Sequence, residues 1–101
     1  MILRRRFADV IVRQLDLFEV DNAGLIADCA AAERAYDAAP RDEAEERYGD
    51  YLDLVETGTD ELVELRDNFA VTLDADSSEE YQELFNRIVR KRLPRFGLQL
   101  D

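Results

Sequence analysis

The chain has 101 residues, 47% hydrophobic and 37% charged, which allows one domain with one modest core and is too short for a multidomain enzyme. Its 24 acidic residues against 13 basic ones give a formal charge of -11, which repels phosphate backbones and anionic lipid surfaces. Histidine is absent, so no imidazole is available as a general base, a neutral-pH switch or a metal ligand, and most catalytic constellations are excluded with it.

Four glycines, two prolines and scattered β-branched residues leave little material for strands, so helix is the default. From Phe7, the residues Ile11, Leu15, Phe18, Leu25, Cys29, Ala32 and Tyr36 follow a three-and-four spacing, with Asn22 in the one polar slot. This predicts a helix over about 3–38, stopped at Ala39 because the residue before Pro40 is pushed out of the helical region. The same spacing through Tyr48, Leu52, Val55, Thr59, Leu62, Arg66, Phe69 and Leu73 predicts a second helix over about 41–73, unbroken across Gly49 and Gly58. Ser77 and Glu80 have the spacing of a capping box, and Tyr81, Leu84, Phe85, Ile88 and Val89 predict a third helix over about 78–93 that ends before Pro94. The tail from 94 to 101 alternates apolar with small or polar residues and reads as extended.

The fold class that follows is all-α and a single domain: a long antiparallel hairpin with a shorter third helix making a three-helix bundle at one end. Across the hairpin, facing residues have numbers that sum to about 80, which pairs Phe7 with Leu73, Ile11 with Phe69 and Ala32 with Tyr48. One layer is polar, Asn22 against Gly58 and Thr59, where a buried amide can fix register. The hairpin spans about 50 Å at 1.5 Å per residue, and the third helix covers about half of it. The other half, rich in Ala27, Ala30, Ala31, Ala32, Ala35, Ala38 and Ala39, reads as a thin two-helix arm. Beside its stripe, Ile26, Tyr51 and Leu54 are left partly exposed, which suggests a homodimer that pairs two arms.

No catalytic, cofactor-binding or metal-ligating residue is assigned. The acidic runs at Glu43–Glu46, Asp60–Glu64 and Glu79–Glu83 lie off the apolar stripes, and the histidines of helical di-metal sites are missing. Cys29 falls on the core stripe as a small apolar filler. One cysteine permits no internal disulfide, and the apolar run in MILRRRFADV is too short for a secretory signal, so a reducing cytoplasm is the expected compartment. No apolar stretch approaches the length of a membrane span.

The charge is uneven: residues 1–6 carry +3, residues 87–101 carry +4 and the body between carries -18. Arg90, Lys91 and Arg92 suit the negative end of the third helix, whereas Arg4, Arg5 and Arg6 oppose their own helix dipole and are expected to pair with Asp67, Asp74 and Asp76 across the bundle. In the tail, Arg95, Phe96, Leu98 and Leu100 are candidates either to cover their own bundle or to dock on a partner, with Tyr51 and Leu54 as further partner-binding candidates. The function expected is that of a non-enzymatic protein-interaction or scaffold module that self-associates, its protein partner not specified by the sequence. An acidic regulator that imitates nucleic acid and binds a basic protein is the alternative, and a carboxylate metal-binding bundle is third.

Overall fold

A computed structural model describes residues 6–100. Five helices follow in order: α1 (Ala8–Asp21), α2 (Ala23–Ala38), α3 (Ala44–Ala70), α4 (Ala75–Arg92) and the single turn α5 (Pro94–Gly97), with no strand among the described residues. None of these helices is long and apolar enough to cross a membrane. The start of the first predicted helix at residues 3–5, with Arg4 and Arg5, lies outside the described residues, as does Asp101.

The predicted first helix is divided at Asn22, whose φ of -116° and ψ of 26° leave the helical region. The backbone amide of Asn22 donates to the Phe18 carbonyl at 2.9 Å, and its side-chain Nδ2 donates to the same oxygen at 3.1 Å. A short amide that competes for a carbonyl of the preceding turn bends a helix at that point. Asn22 is therefore neither a register lock against Gly58 and Thr59 nor a freely solvated side chain: it is half-buried and bonded to its own helix.

α3 runs without interruption through Gly49 and Gly58, as its apolar phase predicts. It begins three residues later than expected, because a turn closed by Glu43 N–H on the Pro40 carbonyl uses residues 41–43. It ends three residues early. The Thr72 amide and hydroxyl both donate to the Phe69 carbonyl, at 3.0 and 2.7 Å, and Leu73 N–H donates to Ala70, which tightens the last turn out of the α ladder. At the start of α4 the expected Ser77–Glu80 box is replaced by a cap three residues earlier: Asp74 accepts from Ser77 N at 2.9 Å and from Ser77 Oγ at 3.2 Å. A carboxylate at the positive helix end is the stronger acceptor. These bonds, the Ser77 backbone amide first, hold the Asp74 carboxyl below its usual range.

Packing is uneven along the molecule, whose extents are 52 × 23 × 22 Å. At one end, α4 lies against α1 and α3 and buries Tyr81, Phe85 and Val89 among Ile11, Leu15 and Leu62. Each such side chain contributes about 1.5–3 kcal/mol when fully buried. The rings of Phe7, Phe69 and Tyr81 meet at centroid distances of 4.7 to 6.4 Å. At the other end α2 and α3 alone form the arm, and no residue from 30 to 50 is buried. Tyr36 packs against Tyr48 there at 5.1 Å, one turn along α2 from Ala32, and Phe7 meets the ring of Phe69 at 6.4 Å.

Candidate functional site

Where α4 ends and the arm begins, the chain turns sharply at Leu93–Pro94 and leaves a cleft of about 430 Å³. Ile26 and Glu33 of α2, Tyr51 of α3, and the corner residues Arg92, Arg95 and Phe96 line it. Pro94 supplies the first position of α5, where its missing N–H costs nothing. The predicted extended tail is thus corrected: residues 94–97 form a helical turn, continued by bonds from Gln99 N–H to Phe96 and Leu100 N–H to Gly97.

This turn sorts the tail residues onto two sides. Phe96 and Leu100, four apart, are 1% and 4% exposed, whereas Leu98 between them is 93% exposed. Phe96 meets Phe18 edge-on at 6.0 Å and lies over Gly58, where even a methyl group would come within 2.8 Å of the ring carbon Cζ. The Thr59 hydroxyl sits 3.0 Å from the Val55 carbonyl and 3.5 Å from that of Phe96. The polar layer expected opposite Asn22 is therefore filled by the tail. Leu54 is half-buried against the core rather than in the cleft.

The arginines of the corner are already compensated. Arg95 Nη2 pairs with Glu33 at 2.8 Å, and its Nε donates to the Tyr51 hydroxyl at 3.2 Å, while the guanidinium lies 5.8 Å from the Tyr51 ring centroid. Burial opposes its charge, but Tyr51 and Glu33 outweigh burial and raise its pKa. Arg92 donates to Glu19 Oε2 at 3.1 Å and Oε1 at 3.0 Å and also bridges to Asp16, which raises its pKa further. Part of the C-terminal basic cluster thus meets the acidic body within the same molecule. At the opposite end, Arg6 does not pair with Asp67: it donates to Ser77 Oγ at 2.7 Å beside the Asp74 cap and lies over the Phe7 ring, while Asp67 holds Arg66.

Of the six predicted partner-binding residues, the structure gathers Tyr51, Arg95 and Phe96 in the cleft and places Leu54, Leu98 and Leu100 elsewhere. Sequence reasoning missed Arg92, which it assigned to the helix dipole. The signal was present, since Arg92 follows Phe85 and Val89 at the seven- and three-residue steps of the buried stripe. Cys29 is fully buried, and burial pushes its thiol pKa up, so it is held as the unreactive thiol. Among the described residues, no three carboxylate or thiol groups converge as a metal site, and no buried side-chain polar atom lacks a partner. The cleft offers shape and two guanidiniums already paired with carboxylates, so an entering carboxylate competes with Glu33 for Arg95.

Fold and site together define an asymmetric all-α hairpin closed at its middle by a C-terminal turn. No family model, curated protein or solved structure matches the chain.

Proposed function

We propose that the chain is a non-enzymatic interaction or scaffold module that self-associates. The observation that carries this reading is Leu98, a large apolar side chain 93% exposed on a tail whose other two apolar anchors, Phe96 and Leu100, are buried. The arm adds surface of the same kind in Tyr36 and Tyr48, half-exposed on two helices that no third helix covers. Sedimentation equilibrium on the full chain tests the reading. Concentration-dependent association supports it, and a strict monomer at tens of micromolar rejects it.

A second reading is favoured by α3, where Asp53, Glu56, Asp60 and Glu64 recur along one exposed face and none is in an ion pair within the described residues. Such a row resembles the charge pattern of a nucleic-acid strand and suits a basic protein partner. Binding to a basic protein that weakens steeply with salt supports it; binding that ignores salt does not.

A further inference from the structure

Two surface features carry opposite charge beside exposed apolar side chains. The first is a knob. Leu98 follows Gly97, whose backbone lies so close to Arg90 that an added methyl would be 2.9 Å from the Arg90 Cα. Leu98 thus directly follows a residue packed on Arg90, and α4 carries Arg87, Arg90 and Lys91 at i, i+3 and i+4. All three are exposed and form no ion pair within the described residues, unlike Arg92 at the end of α4 and Arg95 in α5. The second is a groove of about 220 Å³ between α1 and α3, with Leu17, Phe18 and Leu65 in its walls and Asp21 and Glu61 among its lining. Leu17 is 58% exposed there, and both carboxylates are exposed and unpaired within the described residues.

We propose that Leu98 of one copy seats in the α1–α3 groove of a second copy, with Arg90 and Lys91 of the knob set against Asp21 and Glu61 of the groove. This rests on the self-association reading and names its surface. A body carrying -18 repels a second copy over most of its area, so the unpaired basic face is where approach is favourable, and the acidic apolar groove is a surface that accepts both its charge and its leucine. The residues involved are exposed, so they can be changed without disturbing the core.

The test is sedimentation equilibrium on the full chain and its variants at one fixed salt concentration, with far-UV circular dichroism to confirm the fold of each. Leu98→Asp is expected to weaken association at least about tenfold, about 1.4 kcal/mol. Arg90→Glu with Lys91→Glu leaves an acidic knob against an acidic groove, and Asp21→Arg with Glu61→Arg leaves a basic knob against a basic groove; each double variant is expected to be monomeric alone. Mixed in equal amounts they restore both pairings, one native and one reversed, and association returns between unlike copies. If the wild type associates but Leu98→Asp and both reversals leave it unchanged, or if mixing restores nothing, the knob-and-groove contact is overturned while self-association stands. If the wild type is monomeric throughout, both fall.

Discussion

At the end where α4 covers the hairpin, Ile11, Leu15, Leu62, Tyr81, Phe85 and Val89 are all fully buried, whereas from Ala30 to Asp50, at the other end, no side chain is. The same α3 runs through both. The difference shows that helix continuity and core formation are separable here. In the arm, α2 packs along α3 with alanine at many of its positions, and each alanine removes little area from water. In the bundle, the rings of Phe7, Phe69, Tyr81 and Phe85 pack on one another. Stability is therefore graded along the long axis, with local opening easiest at the arm tip.

The sharpest way to break this comparison is to truncate one ring at each end. Phe85→Ala, at a site with no exposure, is expected to cost about 3–5 kcal/mol, while Tyr48→Ala, 45% exposed and in ring contact with Tyr36 and Tyr51, costs less than about 1 kcal/mol. Urea denaturation reads both, and equal losses would mean that the arm carries as much of the fold as the bundle.

The junction between the regions depends on an absent side chain. Gly58→Ala brings a methyl within 2.8 and 2.9 Å of Phe96 Cζ and Cδ1, so the ring must move. Overpacking of this kind costs about 1–3 kcal/mol, even though alanine is the better helix former. Combining Gly58→Ala with Phe96→Leu is expected to cost less than the two single changes added together, because the smaller side chain removes the clash. A strictly additive double mutant would show that the two positions do not meet.

What the sequence reveals of this fold follows from how many residues share each signal. The stripes of α1, α3 and α4 each repeat over several turns, so their helices, antiparallel pairing and uneven coverage are legible in composition and spacing. Asn22 is a single residue whose effect depends on whether its amide turns outward, across or back, and only the local geometry chooses Phe18. The tail is ambiguous for a plainer reason: Phe96, Leu98 and Leu100 fit a strand with all three on one face, and Phe96 with Leu100 fits a helical turn equally well. The groove at Gly58 decides, since it accepts Phe96 only if the chain turns at Pro94. That choice moves Leu98 to the outside and separates it from Phe96 and Leu100, with which the sequence pattern groups it.

Tyr81 distinguishes the two ends by pH. Its hydroxyl donates to Gln14 Oε1 at 2.8 Å, and burial pushes its pKa from 10 up to about 12. The native state holds the protonated form more tightly than the unfolded chain does, so this contribution is fully present below about pH 10 and is lost as pH rises to about 12. The urea midpoint of the wild type is therefore expected to fall more steeply over that window than that of Tyr81→Phe, which has no proton to lose. Parallel profiles would place the alkaline loss elsewhere.

The smallest effect probes the arm alone. Gly49 has open space where a methyl would go, so Gly49→Ala meets no clash and gains helix propensity of up to about 1 kcal/mol. If the arm opens locally, much of that gain protects amides between Ala30 and Asp50 from hydrogen exchange and little of it delays exchange at Phe85 or Val89, which open only when the bundle does. If instead the whole molecule unfolds as one unit, protection rises equally at Tyr48 and Phe85. The ratio of the two rises thus measures how far the alanine-lined arm and the aromatic bundle are one cooperative structure.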